Sequence, residues 1–382
     1  MRYTIGQLAE IIDGDRGKNY PKQDEFYPQG YCLFLNTGNV TKEGLIFEEN
    51  QFIMKEKDEA LRNGKLKRGD IVYTTRGTVG NAGYYNSSVP YENVRINSGM
   101  VILRSNGEIV DARFLYQILK SEYYRPYFKQ YCTGSAQPQL PIKNFSQIYL
   151  NVPDIKTQHR IADILSVYDN LIENNQKQIK LLEEAAQRLY KEWFVDLRFP
   201  GHENTKIVDG VPEGWRRGLL KELISVNYGK DHKKAPDDGN IPVYGSGGLM
   251  RKCNKSLFSG EAVLIPRKGS LNNIMYVDET FWTVDTMFYA TMKQPHTAIF
   301  VYFFVKAFDM YSMNIGAAVP SMTTKILDAM DVVIPDKETL EKFDKLTKTY
   351  FNKIKTLQGQ NERLKIARDL LLAKLMSGEV EV

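Results

Sequence analysis

Val152-Pro-Asp-Ile-Lys-Thr-Gln158 and Ile334-Pro-Asp-Lys-Glu-Thr-Leu340 resemble one another at an offset of 182 residues, and each opens a long polar-apolar stretch. The same offset holds through both stretches. Seam positions in the first are Ile161, Leu165, Tyr168, Ile172, Asn175, Ile179, Leu182, Ala186, Leu189 and Trp193. In the second they are Phe343, Thr347, Tyr350, Ile354, Leu357, Asn361, Leu364, Arg368, Leu371 and Leu375. Steps of four and three alternate throughout, the 3.5-residue period of a coiled-coil seam. Asp154 and Asp336 are placed to cap the two N-termini, and Ser377-Gly378 to stop the second helix. At 1.5 Å per residue, about 40 residues make a helix of roughly 60 Å, longer than a globular domain needs. Asn175 stands where the second copy has Leu357, and Asn361 where the first has Ile179; such polar seam residues can fix register and partner choice.

Working outward, the segments before the helices also match. Gly6-Gln-Leu8-Ala-Glu-Ile11-Ile12 parallels Gly218-Leu-Leu220-Lys-Glu-Leu223-Ile224, read as a short amphipathic helix opening each copy. Gly69-Asp70-Ile-Val-Tyr-Thr-Thr-Arg76-Gly77-Thr78 parallels Gly260-Glu261-Ala-Val-Leu-Ile-Pro-Arg267-Lys268-Gly269-Ser270, a strand followed by a basic residue and a Gly-hydroxyl turn. Gly134-Ser-Ala-Gln137-Pro138-Gln139-Leu-Pro-Ile-Lys143 parallels Gly316-Ala-Ala-Val-Pro320-Ser321-Met-Thr323-Thr-Lys325. The pattern predicts an α+β chain: two similar α/β globules separated by two long antiparallel coiled-coil helices, related by a pseudo-two-fold internal repeat. The expected boundaries are 1–150 for the first globule, 151–196 for its helix, 197–214 for a linker, 215–335 for the second globule and 336–378 for its helix.

The 382 residues are 42% hydrophobic and 25% charged, with a net charge of +5, ordinary for a folded protein of two or three domains. No apolar run reaches the roughly 18–20 residues of a membrane span, and Met1–Glu10 does not read as a signal peptide. Cys32, Cys132 and Cys253 lack metal-ligand spacing, and a reducing cytoplasm is the expected setting. The four histidines suggest no metal site. There is no phosphate-cradling GxxxxGK[ST], no glutamate two residues before a lysine, and no Asn/Asp-Pro-Pro-aromatic run of an amino-methyltransferase. Tyr244-Gly-Ser-Gly-Gly248 reads as a tight turn between strands. Catalysis by this chain is not expected.

Taken together, this plan resembles the specificity subunit of type I restriction–modification enzymes over essentially the whole chain. The stretches that carry the resemblance are Val152–Ala162, Glu192-Trp-Phe-Val-Asp-Leu-Arg-Phe-Pro200, Gly210-Val-Pro-Glu-Gly-Trp-Arg216 and Leu370-Leu-Leu-Ala-Lys-Leu-Met-Ser-Gly378. The resemblance implies that the globules are target recognition domains for double-stranded DNA and the helices spacers. It also implies two methyltransferase subunits docked on the spacer and two motor-nuclease subunits for cleavage. S-adenosylmethionine, ATP and magnesium would belong to those partners, with no cofactor in this chain. One departure is that the second helix opens without a counterpart of Gln158-His-Arg-Ile-Ala162, which questions whether the two helix starts make equivalent partner contacts.

Residues 1–150 hold 19 basic and 16 acidic residues, and 211–335 hold 14 and 12, so attraction to phosphate depends on clustering. The candidates in the first globule are the loop Arg16, Lys18 and Asn19, the turn Arg76 and Thr78, and Gln137, Gln139 and Lys143. In the second they are Lys230, Lys233 and Lys234, then Arg267, Lys268 and Ser270, then Ser321, Thr323 and Lys325. Arginine suits phosphate or the O6/N7 edge of guanine and glutamine suits adenine N6/N7, while a neighbouring glycine permits close approach. Pro138 and Pro320 would stiffen their loops. The same residues also fit solvated turns and hairpin tips. The alternative for the whole chain is a coiled-coil adaptor with protein-binding globules and no DNA specificity.

Overall fold

In strands Ile71–Thr74 and Met100–Ser105, successive side chains enter two different cores, as the two-residue period of a pleated strand requires. Ile71, Tyr73, Val101 and Leu103 join one cluster, while Val72, Met100 and Ile102 join the other. Burial on both faces is why these strands read as unbroken apolar runs. They belong to a four-stranded antiparallel sheet ordered Ala9–Asp13, Met100–Ser105, Ile71–Thr74, Ala82–Tyr84. A second sheet joins Phe52–Ile53, Cys32–Leu35 and Val94–Ile96, the last two strands parallel. Helix Ala112–Lys120 sets Phe114, Leu115, Ile118 and Leu119 into the core, and the Asp111 carboxylate caps it by accepting the Arg113 and Phe114 N–H groups.

The computed structural model describes residues 1–134, 137–313 and 321–381. They form two compact units, one of Met1–Asn175 with Gly359–Val382 and the other of Gln176–Gln358. Each unit holds one globule and a part of each long helix. The second globule is built on a six-stranded sheet ordered Ile224–Tyr228, Met287–Met292, Phe258–Pro266, Met275–Thr283, Ile241–Gly245, Gly248–Cys253. Strands Ile241–Gly245 and Gly248–Cys253 form a hairpin, so Ser246-Gly247 is the tight turn expected there.

Equivalent backbone hydrogen bonds make the repeat explicit. The Ile5 N–H donates to Ile148 O and the Leu220 N–H to Met330 O; Asn106 donates to Leu8 O and Lys293 to Leu223 O. The Thr4 N–H donates to the Gln7 side chain and the Leu219 N–H to that of Glu222, both at 2.8 Å. These pairs place the copies 215 residues apart at the start of each globule. Gly6 and Gly218 are therefore not counterparts, and the looser sequence match there was displaced by three residues. Nor is each opening segment a helix throughout. Ile5–Leu8 is one helical turn and Leu220–Glu222 a 3-10 turn, each followed by a strand, Ala9–Asp13 and Ile224–Tyr228. The β-branched Ile11, Ile12 and Ile224 suit a pleated, buried surface better than a helix.

The long helices span Ile155–Tyr190, extended by a π-turn Lys191–Val195, and Lys337–Ser377. Asp154 accepts the Lys156 and Thr157 N–H groups, Asp336 accepts that of Thr339, and Gly378 adopts φ +77° after the last turn. All twenty seam positions are buried or half-buried. In the first unit Asp169 pairs with Arg368, and Asn175 Nδ2 donates to Asn361 Oδ1 at 2.9 Å, so the helix segments there run antiparallel. In the second unit Tyr190, Trp193 and Phe194 pack their rings on Phe343. Phe194 and Phe199 both pack tilted rings on Trp215, and Trp215 Nε1 donates to the capping carboxylate of Asp336 at 2.9 Å. The aromatic stretches around residues 193–215 thus form a core that anchors the second helix start. Burial works against the Asp336 carboxylate, but hydrogen bonds from Thr339 and Trp215 hold it below the usual range.

Candidate nucleic-acid interface

In the first globule three loops meet around the turn Asn97-Ser98-Gly99. Gly14 approaches this turn so closely that a Cβ on it would lie 2.3 Å from Asn97 O. From there the chain runs into Arg16, whose guanidinium bonds Ser98 O at 3.1 Å and Asp13 at 3.2 Å. Thr75 and Arg76 both donate their N–H groups to Gly99 O. Arg76 also forms a β-bridge with Gln139, which pairs with Thr133 as well, and Gln137 and Pro138 lie directly before it in the chain. Gly77, at φ +70° with open space where a Cβ would be, lets the chain turn directly after Arg76. The side chains of Arg76, Thr78, Gln137 and Gln139 are exposed, as is Lys143 on the following helix Ile142–Ser146.

The second globule repeats this architecture around Val284-Asp285-Thr286. A Cβ on Gly229 would lie 2.0 Å from Val284 O. Arg267 and Lys268 both donate to Thr286 O, and Lys268 bridges Ser321. Gly269 has φ +84°. Lys268, not Arg267, thus stands where the first copy has Arg76. Arg267 is half-buried with its guanidinium 5.5 Å from the Tyr228 ring centroid. Lys230, Lys233, Lys234, Lys268, Ser270 and Lys325 are exposed, and Trp282 Nε1 holds Lys230 O at 3.0 Å.

Several candidates are already engaged within the protein. Asn19 donates its amide to Ala60 O, and the Thr323 hydroxyl accepts the Ile326 N–H as the cap of helix Thr324–Asp328. The candidate loops before these turns follow a strand in each copy rather than a helix. Pro320 lies outside the described residues. Sequence reasoning missed the hairpin tip at Ser246, whose carbonyl accepts from Asn273 and which lies beside Gly269. Its two-residue Ser-Gly turn was legible, but its position against Lys268–Ser270 needs the six-stranded sheet.

Charge inside the first unit is organised by Asp169 on the first long helix. It accepts from Lys120 Nζ and Gln117 Nε2 at 2.6 Å and from Arg368 at 2.9 Å. Burial opposes ionisation of Asp169, yet Lys120 and Arg368 hold its carboxyl below the usual range. Burial pushes Lys120 down to about 8 despite that partner. Gln158 is fully buried: its carbonyl oxygen accepts the Asp111 N–H, and its amide donates to Ile109 O and Pro153 O. Its counterpart, Leu340, is buried in the apolar core of the second unit. The helix openings therefore differ because each is anchored to its own globule by different chemistry. Among the described residues no group of three or more His, Cys, Asp or Glu could hold a metal, and no helix is long and apolar enough to cross a membrane.

A family model described as the type I restriction modification DNA specificity domain matches residues 1–184 and 212–365. The MjaIX type I restriction enzyme specificity subunit of Methanocaldococcus jannaschii is 25% identical, covering 82% of this chain and 78% of that protein. The HindI specificity subunit of Haemophilus influenzae is 24% identical over 98% of this chain and all of its own length. Among solved structures, the S subunit of a type I restriction–modification system from M. genitalium superposes with a TM-score of 0.56. It is 18% identical and covers 98% of this chain and 95% of its own.

Proposed function

This chain belongs to the family of type I restriction–modification DNA specificity proteins, and from that premise we propose how it reads its target. Each globule reads one half of an asymmetric, bipartite duplex site, and the paired helices set the spacing between the halves. The observation that carries this reading is the repeated loop cluster: Arg76 bridged to Gln139 in one copy and Lys268 bridged to Ser321 in the other. Their backbones are pinned by the same hydrogen bonds to Gly99 O and Thr286 O. Scaffold is shared and displayed side chains differ, which is what two readers of unlike sequences need. Lysine and arginine supply phosphate contact, while guanidinium and carboxamide groups match guanine and adenine edges. The DNA specificity assigned by the family displaces the adaptor alternative.

Methyl transfer and cleavage belong to partner subunits in this reading: two methyltransferase subunits docked on the helices and two motor-nuclease subunits, acting in the cytoplasm. S-adenosylmethionine, ATP and magnesium would be theirs. The chain itself contributes positioning, with each globule presenting its half-site so that a partner can flip and methylate an adenine. Replacing residues 211–335 by those of a relative and sequencing the host's methylated adenines tests the division of labour. One half of the methylated motif should change while the other half is kept. A change in both halves would refute independent reading.

A further inference from the structure

Between the strand residue Ile53 and Leu66, whose N–H donates to Val94 O, the first globule has twelve residues, 54–65. The corresponding link in the second globule, from Cys253 to Leu257 with its N–H on Phe281 O, has three, 254–256. The extra chain forms helix Lys55–Ala60 and the loop Leu61-Arg62-Asn63-Gly64. This loop is held from beneath by Arg95, which is only 5% exposed. The Arg95 guanidinium donates to the buried Asp58 carboxylate and to the carbonyls of Asp58, Leu61 and Asn63. At the matching place the second globule has Trp282, and no such loop to hold.

The tip of the loop lies against the first basic loop. A Cβ on Gly64 would meet Gly14 Cα at 3.2 Å, so two glycines pack backbone to backbone. Asp15 accepts the Arg62 N–H at 2.8 Å and the Gly17 N–H at 2.7 Å, tying the two loops together. Asn19 closes the same contact by donating to Ala60 O. Arg62 and Asn63 themselves point outward: the Arg62 side chain is 76% exposed, with its guanidinium 3.8 Å from Asp15, and Asn63 is exposed. A buried arginine with four acceptors is more scaffold than a solvated surface turn needs. It removes the ordering cost that a flexible loop would incur on binding.

Resting on the DNA-reading function above, we propose that Leu61–Gly64 is an additional reading loop of the first globule. Arg62 and Asn63 are its base-contacting residues, so the first half-site is read by one more loop than the second. Guanidinium and carboxamide at adjacent positions fit guanine and adenine edges, and a bidentate base contact discriminates by roughly ten- to a hundredfold. Arg95 is a positioning residue, acting only through the loop it holds.

The test places Arg62→Ala with Asn63→Ala, and separately Arg76→Ala, in the chromosomal copy of the full chain, followed by single-molecule sequencing of the methylated adenines. The expected result for the loop variant is a motif relaxed at one position of the first half and unchanged in the second. An unaltered motif in the loop variant, with the first half altered by Arg76→Ala, would overturn the additional loop and leave the reading function standing. An unaltered motif in both variants would overturn both. Because Arg62 and Asn63 are exposed, the purified loop variant should melt like the parent chain. A relaxed motif accompanied by a large loss of thermal stability would count against a reading role.

Discussion

Asn175 and Asn361, residues only 8% and 5% exposed, meet across the helix seam of the first unit, and this pair permits a quantitative test. Replacing Asn175 by alanine leaves the Asn361 carboxamide buried and unpaired, which costs about 1–3 kcal/mol. The reciprocal Asn361→Ala should cost about the same. When both are alanine no polar group is stranded, so the double variant should lose less than the sum, with a coupling of about 0.5–3 kcal/mol. Two leucines would complete an apolar seam and should bring stability to or above that of the parent, since a polar seam residue is retained at some cost in stability. Hydrogen exchange of the helix amides around residues 172–178 and 358–364 reports opening of this segment without requiring the two units to unfold together. Single-variant losses that add to within about 0.5 kcal/mol would refute the pairing argument. So would a leucine pair less protected than either alanine variant.

The two close glycines offer a second test. Gly229→Ala would put a Cβ 2.0 Å from Val284 O, and Gly14→Ala would put one 2.3 Å from Asn97 O, so each should destabilise its own globule by at least about 2 kcal/mol, seen as a lower melting temperature. Gly247→Ala, with open space around it, is the control and should leave melting unchanged. A third test uses Asp169→Asn, which leaves buried Lys120 without its anion and should cost about 3–5 kcal/mol at pH 7. Because the Asp169 carboxyl is held below the ordinary value of 3.8, its contribution is present above that pH and lost as the pH falls further. The gap between parent and variant in denaturant titrations should therefore close below pH 3.8; a gap that persists there would contradict the ion-pair account.

The duplicated plan, the caps at Asp154 and Asp336 and the full seam were legible in the amino-acid sequence. These depend on local rules: a 3.5-residue apolar period, a carboxylate facing free N–H groups, a glycine after the last turn. Basic turns after a strand were legible for the same reason, since a glycine beside a cation marks a chain reversal. Three things were decided only by tertiary structure. The register between the copies at each globule start follows from which carbonyl the Ile5 and Leu220 N–H groups reach, and those partners lie more than a hundred residues away. Lys268 rather than Arg267 became the counterpart of Arg76 because both copies pin this turn on one distant carbonyl, Gly99 O or Thr286 O. Nothing in the sequence around Arg62 sets it apart from other charged residues; its loop is ordered by Arg95, thirty-three residues on and buried beneath it. Local periodicity determines which segments form helices and strands, but which of their side chains share a surface is set by long-range pairing, whose partners no short window of sequence contains.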